Sequence, residues 1–315
     1  MSLTHPNPQR IVRAYYVVQG AAVLGWWVLL ATVEPAREWF VPEGDAPNEL
    51  LRFWLPDIGL LGAGSWFVAW AVARQGSWSR AAAWWLAGAA CYAGLFTLGA
   101  SLRTDGGWLA SACTATMTGL CLVAASMLGA PGEKLAAYRP VRMRGGSALA
   151  WTLLQIAIFW GLFLWILPKG VLELEQRLGL PRIPSGGPYA LALFAAASLL
   201  GLASGITMAR VGQGTPLPTA TASGLVVAGP YRFVRNPMAV AGIAQGVAIA
   251  WYLGSATYGM LSLIGGIFWH LLVRPSEETD LEARFGQPYR DYKAKVGLWL
   301  PWTFRDRRES EKPVA

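Results

Sequence analysis

The sequence predicts an all-α fold: a polytopic transmembrane bundle of about eight spans, closed by a cytoplasmic C-terminal amphipathic helix. Three observations carry this. Hydrophobic residues fill 54% of the 315 positions and charged residues only 14%, whereas a soluble domain carries about 25% charge. Apolar runs of roughly 20 residues, the length that crosses a bilayer core, recur from end to end. The basic residues fall in short connections between the runs, as they do in membrane proteins oriented by their cytoplasmic loops. The net charge of +8 is therefore no argument for nucleic acid as a partner.

The runs fall in order. The first covers about Ala14 to Val33, and the polar N-terminus before it lacks a signal-peptide pattern, so this run is expected to be retained as a span. The second covers about Pro56 to Ala73, the third Ala81 to Leu102 and the fourth Trp108 to Ala130. Asp57, at the mouth of the second, reads as a helix N-cap. A basic stretch rich in Pro and Gly follows, with Lys134, Arg139, Arg142 and Arg144, and it marks a boundary between two halves. The fifth run covers about Leu149 to Leu167, with a short interfacial helix expected over Val171 to Leu178. The sixth is Tyr189 to Ala209, the seventh Met238 to Leu253 and the eighth Tyr258 to Val273. The resulting organisation is a four-span region (1–130), a basic cytoplasmic linker (131–147), a C-terminal module (148–302) and a disordered polar tail (303–315).

Eight spans place both termini on one side. That side holds twenty of the Lys and Arg residues and the other six; the short loops alone give eleven against six. The bias predicts cytoplasmic termini and an inner (cell) membrane location. Cys91, Cys113 and Cys121 sit inside apolar runs and read as small hydrophobes, not as a disulfide or a metal site. With only His5 and His270 present, a histidine-rich metal centre is excluded. Many of the 17 Trp lie near run ends, where indoles favour the interface.

Ionisable residues close to lipid are rare and retained for a purpose, and they concentrate between Gly212 and Pro301. In GPYRFVRNP, Pro230 and Pro237 stiffen the chain around Arg232 and Arg235. Pro237 suits the first turn of the seventh span, whose leading N–H groups are a place for an anion. Beyond the eighth run, His270, Arg274, Glu277 and Glu278 share one helix face, and Pro275 is expected to end or kink the helix near Arg274. Leu281, Phe285, Tyr289, Tyr292, Val296 and Trp299 form an apolar face, with Gly286 as a break. The seventh and eighth spans form a hairpin, so the two charged clusters should meet.

These residues carry a resemblance. Gly212, Gly214, Thr215, Pro216 and Pro218, then Leu225 and Val226, Gly229 to Arg232 and Arg235 to Pro237 stand in a fixed order. They are followed by Glu277, Glu278, Leu281, Phe285, Gly286, Tyr289, Tyr292, Val296, Trp299 and Pro301. The pattern resembles the isoprenylcysteine carboxyl methyltransferase family and the related phospholipid methyltransferases, over the last 100 to 150 residues. The resemblance implies S-adenosyl-L-methionine as methyl donor, held by Ser223, Gly224, Leu225, Val226, Tyr231, Asn236, Pro237, Met238, Ala239 and Glu277. It implies that Arg235 and Arg274 orient carboxylates of donor or acceptor, with Glu278 beside them. Ala239 stands where the family often has Tyr, and Thr279 where it often has Pro.

Methyl transfer from a sulfonium needs alignment and electrostatic fit more than a strong catalytic group, so the lack of a nucleophile–base pair is no obstacle. A carboxylate or thiolate acceptor needs no base; for an amine or alcohol, Glu277, Glu278 or His270 is placed to take the proton. The acceptor is expected to be a lipid or lipophilic molecule from the bilayer. Two other readings compete: a nicotinamide-dependent membrane reductase of the sterol-reductase kind, and a transporter or lipid-binding scaffold. For the transporter the sequence offers no inverted repeat.

Overall fold

The structure, a computed structural model of the chain, describes residues 8–42, 44–76, 78–128, 143, 145–215 and 221–301. Its helices follow the apolar runs: α1 (Gln9–Thr32), α2 (Pro47–Ala73), α3 (Ser79–Thr104), α4 (Trp108–Met127), α5 (Gly146–Arg177), α6 (Gly187–Gly212), α7 (Pro237–Leu253), α8 (Ala256–Phe285) and the short α9 (Gln287–Lys295). Seven of them are long and apolar enough to cross a membrane; α7, with 17 residues, is apolar but shorter. The protein is an all-α, multi-pass integral membrane protein. Large apolar side chains such as Trp85, Leu95, Leu199, Leu271 and Leu272 stand exposed on the helices, which suits contact with lipid. The basic linker and the polar tail lie almost wholly outside the described residues.

The described residues form two compact units. One holds α1 to α4 and residues 161–181; the other holds residues 143–160, α6, α7, α8 and α9. In the first, α3 lies along α4 and α1 along α2. Small residues at the contacts (Ala83, Ala87, Ala90, Ala124, Ala125) let the helices approach. A buried polar chain ties α1, α2 and α4: Gln19 Nε2 donates to Ser65 Oγ (3.0 Å), the Cys121 thiol donates to Gln19 Oε1 (3.1 Å), and the Tyr15 hydroxyl meets Gln19. At one end, Glu173 Oε2 accepts the Leu109 N–H (2.9 Å), placing a carboxylate on the positive end of α4. Lys169 sits over the Trp108 ring and 2.6 Å from Asp105, and its hydrogen bond holds the Asp105 carboxyl below its usual range.

Three local expectations change. Asp57 is not an N-cap: α2 begins ten residues earlier, at Pro47, and Asp57 lies inside it. The helix expected over Val171 to Leu178 is not separate, because α5 runs on to Arg177. Pro275 does not end α8. A wider, π-type turn, Trp269–Val273, precedes it, in which the Arg274 N–H bonds to Trp269 O. The His270 carbonyl is thereby freed, and the Arg274 side chain takes it instead, Nε donating at 3.1 Å. The missing proline N–H is absorbed without breaking the helix.

In the second unit α7 packs chiefly on α6 and then on α8. Asn236 caps α7, its Oδ1 accepting the Ala239 N–H at 3.0 Å, with Pro237 in the first turn. The α7–α8 turn is tight, only Gly254 and Ser255 separating the two helices. Gly254 adopts φ +68°, where a side chain would also meet Ile183 O at 2.6 Å, and Ser255 Oγ caps α8 by accepting the Tyr258 N–H.

Candidate functional site

The site is built from the loop between α6 and α7 and from the chain beyond α8. After α6, Gln213 takes a left-handed conformation (φ +54°) and the chain folds back on itself. Two glycines permit this. A Cβ on Gly212 would fall 2.6 Å from Ala222 Cβ, and one on Gly214 would fall 2.5 Å from the backbone of Ala222. Ser223 N–H closes the loop on Gly212 O at 2.8 Å. Pro216 and Pro218 lie outside the described residues. Gly229 (φ +57°), where a Cβ would fall 2.8 Å from Thr207 Oγ1, then turns the chain into the short 3-10 turn Gly229–Arg232, which buries Tyr231.

Beyond α8, Gly286 breaks the helix as expected (φ +57°, ψ −130°), and α9 follows. Its continuation returns to the loop. Arg235 N–H donates to Gly297 O at 2.9 Å, and Val234 pairs with Gly297. The Tyr292 hydroxyl donates to Tyr231 O (2.7 Å), and Trp299 Nε1 donates to His270 Nδ1 (3.2 Å). Arg284, paired with Asp280, donates to Ala222 O at 2.8 Å and so fixes the folded-back part of the loop.

The two charged clusters meet at Glu278. Its Oε1 lies 3.1 Å from Arg235 Nη1 and 3.5 Å from Arg274 Nη1, and its Oε2 lies 2.9 Å from Lys293 Nζ. Both oxygens are thus engaged by cations from three segments. That geometry makes Glu278 an organiser of the arginines rather than a free proton acceptor. Glu277, beside it and past the apolar part of α8, is different. Burial pushes its carboxyl up to about 7, and the like charges of Glu278 and Asp280 add to the shift. Burial likewise raises the Tyr231 hydroxyl, with Tyr292 and Glu277 contributing.

Several polar atoms in this region are buried and lack a hydrogen-bond partner among the described residues: Tyr231 OH, Thr221 Oγ1, and Nε and Nη1 of Arg235. Arg235 Nη1 is close enough to Glu278 to pair by charge but is out of hydrogen-bond alignment. Buried polar groups are nearly always satisfied, so this set fits a bound polar molecule. The start of α7 fits an anion less well than its position predicts. Asn236 already occupies the Ala239 N–H, and Pro237 has none.

Of the other residues singled out in the sequence, Val226 and Pro237 are buried, Gly224, Leu225, Met238 and Ala239 partly so, and Ser223 is exposed. Sequence reasoning missed Lys293, which lies across the Gly286 break from Glu278, where no helical spacing links them. It also missed Gln155 and Thr152, the only strongly polar side chains in the apolar part of α5.

Residues 189–288 match the family model described as phospholipid methyltransferase. That interval contains the loop, α7, α8, Arg235, Arg274, Glu277 and Glu278. The match falls on the segment whose motifs carry the resemblance to the integral membrane methyltransferases. The chain is similar to methanethiol S-methyltransferase of Mycobacterium tuberculosis (strain ATCC 25618 / H37Rv), with 39% identity over 77 residues, 24% of this chain and 30% of that protein. The match thus covers under a third of the relative's length. No solved structure matches the chain.

Proposed function

We propose that the protein is an integral membrane S-adenosyl-L-methionine-dependent methyltransferase acting on a lipophilic acceptor drawn from the bilayer. One observation carries this reading. Inside the methyltransferase segment, Arg235, Arg274 and Glu278 converge, beside buried polar atoms of Arg235 and Tyr231 that have no hydrogen-bond partner. When bound, the donor supplies a sulfonium-activated methyl group. Ser223, Gly224, Leu225, Val226, Tyr231, Asn236, Pro237, Met238, Ala239 and Glu277 would hold it. Arg235 and Arg274, steadied by Glu278, would receive a carboxylate of donor or acceptor. The basic residues of the loops favour cytoplasmic termini and an inner-membrane location, which puts this site on the side of soluble cofactors.

The test is calorimetric binding of S-adenosylhomocysteine to the detergent-solubilised protein, followed by tritiated-methyl transfer in membranes and identification of the labelled product. Absence of binding would end the proposal. A pH series adds a sharper prediction. Glu277 is neutral below about pH 7 and charged above it. A sulfonium gains an attractive neighbour as the pH rises, whereas the neutral sulfur of S-adenosylhomocysteine does not. The affinity ratio of S-adenosylmethionine to S-adenosylhomocysteine should rise by about fivefold, roughly 1 kcal/mol, between pH 6 and 8. Glu277→Gln should flatten the rise; a flat wild-type profile removes Glu277 from the site. Stability moves the other way. Between its ordinary value of 4.5 and about 7, Glu277 keeps in the fold a proton that it would release on unfolding, so stability falls as the pH rises through that window.

A further inference from the structure

α5 enters the second unit as an almost wholly apolar helix, AWTLLQIAIFW, interrupted by Thr152 and Gln155. The two stand three residues apart and so share a face. Gln155 Nε2 donates to Thr215 Oγ1, in the glycine-bearing loop, at 3.3 Å. Its Oε1 is buried without a partner among the described residues, and so is the Thr152 hydroxyl. The Thr152 methyl group and Met238 flank the same glycine: a Cβ on Gly205 would lie 3.1 Å from Thr152 Cγ2 and 3.9 Å from Met238 Cε. Thr215 follows Gly214, which is pressed against the backbone of Thr221 and Ala222. The polar face of α5 therefore meets the loop at Thr215 and packs on α6 at Gly205, the glycine that Met238 of α7 also approaches. Thr221 Oγ1, close by in the chain, is a third buried hydroxyl without a partner.

An amide inside an apolar helix is costly to bury, and a half-paired one more so. Packing alone would favour leucine at this position. We propose that Gln155 forms, with Thr152 and Thr215, a further subsite of the donor and acceptor site, which takes an uncharged or cationic hydrogen-bond donor (amine, amide N–H or hydroxyl) of a bound molecule. Gln155 and Thr152 lie outside residues 189–288 and outside every motif that carries the resemblance; Thr215 belongs to both. It rests on the methyltransferase reading. An N–H or O–H group of that kind is present on the adenosyl donor and on many acceptors, and the test separates the two sources.

Gln155→Leu and Thr152→Val keep the side-chain volume and remove the polar atoms. Three quantities are measured on the full chain: the dissociation constant of S-adenosylhomocysteine, the KM for the labelled acceptor, and the melting temperature without ligand. Loss of one uncharged hydrogen bond should weaken the affected constant by about three- to tenfold for Gln155→Leu, while the melting temperature stays the same or rises. Weaker S-adenosylhomocysteine binding assigns the subsite to the donor. An unchanged dissociation constant with a raised KM assigns it to the acceptor. A lowered melting temperature with both constants unchanged makes Gln155 a packing residue and overturns the proposal, as does no change at all. If the wild-type protein takes up no S-adenosylhomocysteine, the methyltransferase reading itself fails and the subsite falls with it. A wild-type protein that binds, beside a Gln155→Leu variant that matches it in every constant, sinks the subsite alone.

Discussion

Glu278→Gln is expected to weaken S-adenosylhomocysteine binding by about a hundredfold, roughly 3 kcal/mol, and to lower the melting temperature. The reason is the arrangement of charge. One carboxylate, nearly buried, faces Arg235, Arg274 and Lys293. The amide has the same shape and no charge, so Arg235 is left buried beside Arg274 without a counter-ion. Removing one partner of a buried pair is far more damaging than losing an exposed one, because the remaining charge stays desolvated. Lys293 and Arg274 are more exposed and can turn to water, which keeps the effect at the lower end of what buried pairs show. Glu278→Asp retains the charge and should recover part of the affinity. A proton-accepting role for Glu278 makes a different forecast: the glutamine variant would lose turnover but keep its donor affinity. Wild-type affinity in Glu278→Gln would therefore refute the organising role.

The contrast shows what could be read from the chain and what could not. The spans were legible because each is a run of apolar side chains at the required length, and Pro237 announced the start of α7 as a first-turn proline, while the cap by Asn236 went unread. The approach of Arg235 to the acidic residues in the last turns of α8 followed from the short α7–α8 turn, which forces a hairpin. The return of the C-terminal chain was harder. Its register is set by the Arg235 N–H on Gly297 O, and a backbone bond between distant segments leaves no mark in side-chain pattern. Lys293 was invisible because Gly286 resets the helical phase between it and Glu278. Pro275 misled because its usual effect assumes an α-helical turn before it, whereas the turn that precedes it is wide. Gln155 is a single polar letter in an apolar run; only its burial and its bond to Thr215 distinguish it from an exposed residue.

Gly214→Val should remove donor binding and methyl transfer by a factor of about a hundred, with a much smaller loss of overall stability. The space at Gly214 is not bounded by a side chain that can rotate away. Its Cα faces the Cα and N of Ala222 and the carbonyl carbon of Thr221, each 2.5 Å from where a Cβ would sit. That backbone is held in turn by Arg284 on Ala222 O and by Ser223 N–H on Gly212 O. Relief of the clash requires the folded-back strand to move, which breaks one of these bonds and displaces the Ser223–Val226 segment together with Thr215. The helices should stay packed, because the α6–α7 and α7–α8 contacts do not pass through Gly214. Far-ultraviolet circular dichroism should therefore be unchanged while S-adenosylhomocysteine binding is lost. Gly242→Ala is the matched control: a Cβ there meets nothing within 4 Å, so both binding and stability should match the wild type. If Gly214→Val binds as tightly as the control, the loop is not part of the donor site, and the donor would have to be sought elsewhere in the fold.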